Sequence, residues 1–228
     1  MNDTSPQATR IRLRTQSAEE TARVGEVIGS LEPAPVVIAI EGELGAGKTQ
    51  LVRGLAAGLG LDAAEVSSPT FVLSCRHDGP NCSLAHLDAY RMSGDDDLES
   101  IGFEEMLGEP SLVMAIEWAS RLQHALPANR IEIRIAHLPA DERAIEIMDH
   151  RDSARLRERL SDALQVRCDA TETPLIDTNT CPSCGEKSTD SEHGAFCSHR
   201  CRMADLGNWL GGRYSISRPL HADEELSD

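Results

Sequence analysis

The stretch Gly42-Glu43-Leu44-Gly45-Ala46-Gly47-Lys48-Thr49 constrains this chain more than any other. It fits the pattern G-x-x-x-x-G-K-[ST] in full. The unbroken apolar run Val36-Val37-Ile38-Ala39-Ile40 precedes it, and Leu51, Val52, Leu55 and Leu59 follow at helical spacing. Such a run reads as a strand buried on both faces, and strand, glycine loop and helix in that order form the phosphate-loop unit. In that unit backbone N–H groups wrap phosphate oxygens, the lysine adds a point charge and the hydroxyl ligates Mg²⁺. The helix N-terminus points at the same anion. Glu43, Leu44, Gly45, Ala46, Gly47, Lys48, Thr49 and Gln50 are therefore the candidate nucleotide-binding set. Among 22 basic residues only Lys48 and Lys187 are lysines, so an arginine-rich chain keeps a compact ammonium where phosphates would sit.

The chain in order predicts an α/β fold. Ile11 to Arg14 reads as a short strand, and Ser17-Ala18-Glu19-Glu20 is a capping box opening a helix to about Leu31. After the loop and its helix come Phe71-Val72-Leu73 and Leu84 to Asp88 as strands, then one helix from Asp95 to Leu107. Leu112 to Ile116 is a second buried strand that delivers Glu117 and Trp118. Ile131 to Ile135 and Ala144 to Met148 alternate and suit a sheet edge, and a charged helix from Ser153 to Leu164 closes the domain. The expected architecture is a P-loop NTPase-type, mostly parallel sheet flanked by helices over residues 10–166. A linker at 167–180, a small cysteine-rich module at 181–216 and an acidic tail at 217–228 follow.

A formal charge of −16 and a pI near 4.9 argue against broad attraction to nucleic acid. No export signal and no membrane-length apolar run is read. Seven cysteines, four with metal-site spacing, suit a reducing cytoplasm.

A phosphate loop needs a carboxylate at the end of a neighbouring strand. Glu117 is read as a Mg²⁺ ligand, against a plain strand-end carboxylate. Asp88 is read either as a structural acceptor or as a group that activates water. Thr70 is either a turn hydroxyl or a switch-like contact to the γ-phosphate. Phe71 and Phe103 read as core; Tyr90 and Trp118 are candidates to flank the nucleotide. His86 reads as a satisfied structural histidine.

The loop with Leu51-Val52-Arg53-Gly54, then Ser68-Pro69-Thr70-Phe71, His86-Leu87-Asp88-Ala89-Tyr90-Arg91, Gly102-Phe103-Glu104-Glu105 and Ile116-Glu117-Trp118-Ala119-Ser120-Arg121 resembles the bacterial TsaE (YjeE) family. That family supplies the ATPase of tRNA threonylcarbamoyladenosine modification. The resemblance implies ATP, Mg²⁺ and work with the TsaD–TsaB transferase complex, through which tRNA is reached. It implies that Lys48 contacts the phosphates, Thr49 and Glu117 hold Mg²⁺, Thr70 lies in a switch-like loop, Asp88 is essential for hydrolysis and Trp118 borders the nucleotide. Glu43 stands where the family usually has aspartate, and Cys75-Arg76-His77 lacks the tyrosine often found there. The rival readings are a P-loop small-molecule kinase and a nucleotide-gated adaptor whose zinc module is the effector.

Cys181, Cys184, Cys197 and Cys201 give C-x₂-C-x₁₂-C-x₃-C, the paired spacing of a closed, structural Zn²⁺ site. About forty residues with few apolar side chains would hardly fold without it. Cys75, Cys82 and Cys168 read as ordinary thiols. A helix from Ser198 is expected to present Met203, Leu206, Trp209 and Leu210 as one stripe. Cys181-Pro182-x-Cys184, Phe196-Cys197-Ser198-x-Arg200-Cys201, Asp205-Leu206-Gly207-x-Trp209 and Tyr214-x-Ile216 resemble the YacG family. That resemblance implies a module that binds and inhibits DNA gyrase. The module is expected to fold separately from the first domain.

Overall fold

The computed structural model describes residues 9–31, 34–70, 72–92, 95–138, 142–151, 154–164, 181, 183–186 and 196–210. The expected linker and tail lie outside them, as do Phe71, Cys168 and the side chains of Trp209 and Leu210.

Among the described residues, seven strands form one sheet in the order β1-β7-β6-β2-β5-β4-β3. They are β1 (Thr9–Thr15), β2 (Val36–Gly42), β3 (Ser74–Asp78), β4 (Ser83–Asp88), β5 (Leu112–Glu117), β6 (Ile131–His137) and β7 (Arg143–Asp149). The central strands β6, β2, β5 and β4 pair in parallel, while β7, β1 and β3 join by antiparallel ladders. Helices α1 (Ala18–Leu31), α2 (Lys48–Gly58) and α5 (Ala154–Leu164) cover one face. Short helices α3 (Asp95–Ser100) and α4 (Phe103–Leu107) lie on the opposite side, and α6 (His199–Leu210) follows the cysteines.

The alternation of β2 shows why it stands at the centre. Val36, Ile38 and Ile40 enter the core beneath α1 and α2, whereas Val37 and Ala39 enter the second core with Met114, Ile116 and Trp118. The capping box forms at α1: Ser17 Oγ accepts from Glu20 N at 3.2 Å, and Glu20 reaches back to accept from Gln16 N at 2.7 Å. Helices α1 and α2 pack backbone to backbone. A Cβ on Gly54 would lie 1.7 Å from the Ala22 carbonyl oxygen, and one on Gly25 would lie 2.0 Å from that of Leu51.

Four expectations are corrected. The strand expected at 71–73 begins at Ser74, because Leu73 adopts a left-handed φ of 64° and its N–H closes a turn onto Pro69. The helix expected from Asp95 to Leu107 breaks at Gly102, whose φ of 67° ends one segment and caps the next. Strands β6 and β7 are interior strands; the edges are β1 and β3. Their alternation reflects a polar layer on one face, including the buried Arg12–Glu146 ion pair between β1 and β7 at 2.8 Å. In α6, Met203 is exposed and Asp205 is buried, so the inward stripe there is not purely apolar. No described helix is long and apolar enough to cross a membrane.

Candidate nucleotide site and cysteine cluster

The loop leaves β2 at Gly42 and enters α2 at Lys48, with Gly45 and Gly47 at φ of 79° and 105°. Only glycine takes those conformations without strain. Its rim is tied to the end of β6: Glu43 Oε1 accepts from His137 N at 3.1 Å, and His137 Nε2 lies 2.7 Å from the Gly45 carbonyl. Ala46 is buried, Leu44 packs against the second core and Gln50 is half-buried at the start of α2. Lys48 Nζ donates to the carbonyls of Gly42 and Glu43, both at 2.9 Å, and the Trp118 ring lies over it at 4.1 Å. Lys48 is consequently only 4% exposed.

Register brings the two candidate carboxylates together, since Asp88 and Glu117 are direct partners at the ends of β4 and β5. Glu117 Oε1 accepts from Thr49 Oγ1 at 2.8 Å and from His86 Nε2 at 2.9 Å. Burial pushes the Glu117 carboxyl up, but the His86 hydrogen bond and charge, with Lys48 and Thr49, hold it below the usual carboxylate range. Asp88 moves the other way. Burial and then the Glu117 charge raise it, against the hydrogen bonds from Thr70 and the Tyr90 N–H. Its Oδ2 accepts from Thr70 Oγ1 at 2.6 Å and Ser68 Oγ at 3.3 Å, and its Oδ1 accepts from Tyr90 N at 2.9 Å. Asp88 thus caps a turn and holds the 68–70 loop at once.

Trp118 has a left-handed φ of 59°, unusual outside glycine, and its N–H donates to the Ile40 carbonyl at 2.9 Å. That conformation sends the ring back over the loop. Glu41, one residue before the loop, accepts from Ser120 N and so fastens the turn after Trp118. Burial, opposed chiefly by that hydrogen bond, raises the Glu41 carboxyl. No motif marks Glu41; its one signal in the sequence is a carboxylate at the end of an otherwise apolar strand. His86, whose alternation with apolar neighbours reads as that of a structural histidine, lies against Glu117 and so is part of the site.

The four cysteine sulfurs lie within 4.8 Å of one another, with Cys184–Cys197 at 3.4 Å and Cys197–Cys201 at 3.6 Å. A tetrahedral zinc with Zn–S near 2.3 Å has S–S edges of about 3.8 Å, so this donor set fits the ion. Burial pushes the Cys181 thiol up, but the backbone N–H groups of Cys197, Cys184 and Ser183 together bring it down to about 7. Ser198 caps α6 by accepting from Cys201 N at 3.3 Å. His199, on α6, is not one of the clustered ligands.

The cluster sits against the loop's aromatic wall. Cys181 and Phe196 are buried in the core of Tyr90 and Trp118. Phe196 stacks on Trp118 with centroids 5.9 Å apart, and Tyr90 lies 5.1 Å from Trp118. Arg202 lies 4.4 Å over the Tyr90 ring and donates to the Tyr90 carbonyl, while Tyr90 Oη donates to the Arg202 carbonyl at 3.3 Å.

Residues 15–145 match the family model described as threonylcarbamoyl adenosine biosynthesis protein TsaE. The chain belongs to the TsaE family. A TsaE of Treponema pallidum is 37% identical over 60% of this chain and 99% of its own length. One of Bacillus subtilis is 34% identical over 59% of this chain and 83% of its own. A crystal structure of Bacillus subtilis YdiB aligns with a TM-score of 0.55 at 27% identity, covering 71% of this chain and 98% of that one. Residues 179–227 match the model described as DNA gyrase inhibitor YacG. The TsaE match contains Lys48, Thr49, Thr70, His86, Asp88, Glu117 and Trp118, and the YacG match contains the four cysteines, Phe196 and Arg202. The Phe196–Trp118 stack therefore joins the two matched segments.

Proposed function

We propose that this chain binds and hydrolyses ATP with Mg²⁺ in support of tRNA threonylcarbamoyladenosine formation, acting with the TsaD–TsaB complex and reaching tRNA through it. The observation that carries this reading is the convergence of Thr49, His86 and Glu117 beside the Lys48 loop. Lys48 exchanges the carbonyls of Gly42 and Glu43 for phosphate oxygens. The Thr49 hydroxyl and the Glu117 carboxylate are hard oxygen donors that suit Mg²⁺. Bound there, the ion would supply charge stabilisation of the transferring phosphoryl group. Asp88 holds Thr70 and, with its proton affinity raised by burial beside Glu117, is suited to orient and deprotonate the attacking water. Trp118 borders the nucleotide.

The cysteine cluster is assigned one structural Zn²⁺, with no open coordination position. Thiols that must stay reduced suit a cytoplasmic setting. The YacG match supports a protein-binding role for this module, with DNA gyrase as the proposed partner.

Turnover of the full chain, measured alone and with TsaB, TsaD and tRNA, tests the first assignment. Strong stimulation by the complete set is expected; efficient phosphorylation of a free metabolite would overturn it. Binding of purified gyrase to the full chain, lost in Cys184→Ser, tests the second.

A further inference from the structure

Phosphate and the Trp118 ring require the same group. The ammonium of Lys48 is capped by that ring at 4.1 Å and bonded to two loop carbonyls, which leaves it almost wholly covered. A phosphate must replace at least one of these partners, and a desolvated cation under an aromatic face is not released freely. What holds the ring in place therefore bears on nucleotide affinity.

Two rings hold it. Tyr90 comes from the turn after β4, within the TsaE-matching segment. Phe196 comes from the cysteine module, is 1% exposed, and stacks on Trp118 at an interplanar angle of 26°. Phe196 immediately precedes Cys197, and Cys181 is buried in the same apolar cluster. The turns that gather the sulfurs thus also carry the ring that covers Trp118. Arg202, one residue after Cys201, adds the contacts to the Tyr90 ring and carbonyl. The seating also carries an opposing influence. It brings Arg202 near the guanidinium of Arg121, which burial and then the Arg202 charge make less favourable to ionise. A contact of a few rings and one arginine, opposed by like charge, is one a ligand can displace.

Resting on the nucleotide reading of the loop, we infer that the cysteine module is a latch on the nucleotide site. Phe196 is the positioning residue that keeps Trp118 over Lys48. The seated module and the nucleotide phosphates compete for Lys48, and metal loading of the cysteines, by ordering the turn that bears Phe196, strengthens the latch.

The test uses the full chain carrying Trp209→Phe, which leaves Trp118 as the sole tryptophan of the two in the sequence. Zinc content, Trp118 emission and the calorimetric Kd for ATP are measured for this parent, for Phe196→Ala and Phe196→Leu, and for the parent after zinc chelation. Phe196→Ala is expected to keep its zinc, shift Trp118 emission to longer wavelength and bind ATP about three- to tenfold more tightly, the range one buried aromatic pair supports. Phe196→Leu, which keeps apolar cover without stacking, falls between, and chelation moves the parent in the same direction. Should Phe196→Ala lose zinc or fold poorly, Arg202→Ala decides, with the same two shifts expected. Unchanged Kd and emission in both variants, or weaker ATP binding, overturns the latch. A parent that binds no ATP defeats the nucleotide reading itself and the latch with it; the emission shift then separates that failure from a module that is not seated at all.

Discussion

His86→Ala probes the part of the site least visible in the motif pattern. His86 is fully buried, and the Glu117 side chain it bonds at 2.9 Å is 4% exposed. Removing one member of so buried a pair leaves the carboxylate without its main compensation, a change that costs about 3–5 kcal/mol. Thr49 still donates to the same oxygen and Lys48 still contributes its charge, so the lower end, about 3 kcal/mol, is expected. Against a total stability of about 5–15 kcal/mol the variant stays folded. His86→Gln supplies a control, because its amide nitrogen can donate from nearly the position of Nε2; it should recover most of the loss.

The pH dependence separates electrostatics from packing. Glu117 is held below the ordinary carboxylate range, so its contribution is present above the unfolded-state value and lost as pH falls through the folded-state value. Without His86 the carboxyl rises, and a buried charge becomes a liability that protonation relieves. The deficit of His86→Ala is therefore largest near neutrality and narrows as pH falls through about 4.3, the ordinary glutamate value. Urea denaturation of the nucleotide-free chain near pH 7 and near pH 4, about those two limits, measures it. ATP calorimetry with and without Mg²⁺ should show weaker metal dependence in the alanine variant. A deficit that ignores pH, or equal damage in His86→Gln, would reduce His86 to a space-filling residue.

Asp88→Asn should abolish turnover while leaving the nucleotide-free fold more stable at neutral pH. The raised Asp88 value means that stability is present below the unfolded-state value, about 3.9, and lost as pH rises through the folded-state one, a loss asparagine escapes. Thermal melts at acid and neutral pH check this, and a neutral-pH melt below wild type contradicts it. Gly54→Ala must push α1 and α2 apart, since the new methyl meets the Ala22 backbone rather than a movable side chain. A loss of about 3 kcal/mol or more in urea denaturation is expected. Metal analysis should find one zinc per chain, absent in Cys184→Ser, whose far-ultraviolet circular dichroism should retain the sheet signal.

How much of this was legible in the sequence depends on how local each feature is. The phosphate loop needs only its own spacing and the apolar run before it, so residues 42–49 and β2 could be read directly. The capping box at Ser17 and the cysteine spacing are local in the same sense. The start of β3 is not legible, because Phe71-Val72-Leu73 is apolar enough for a strand while what decides is one left-handed residue, Leu73, for which composition carries no sign. The interior place of β6 and β7 depends on β1 returning to cover β7, a pairing of residues more than a hundred positions apart. The meeting of His86 with Glu117 depends on the register of β4 against β5, and neither strand alone encodes it.

The cysteine module poses the sharper problem, because four cysteines at the right spacing look self-sufficient. A metal site fixes the turns around it but leaves a segment of about forty residues short of apolar area, and such segments fold alone only with difficulty. That shortage was visible in the sequence, though its remedy was not. Phe196 is a large apolar side chain beside the ligands, and inside so small a unit it has little to pack against. Burying it requires a second surface, and in this chain that surface is the ring of Trp118. A closed metal site with an aromatic residue next to a ligand and too little core of its own is thus a sequence-level sign of a docking surface elsewhere. Here the surface lies on the wall of the phosphate loop, so the residue that completes the module's core is the same one that covers Lys48.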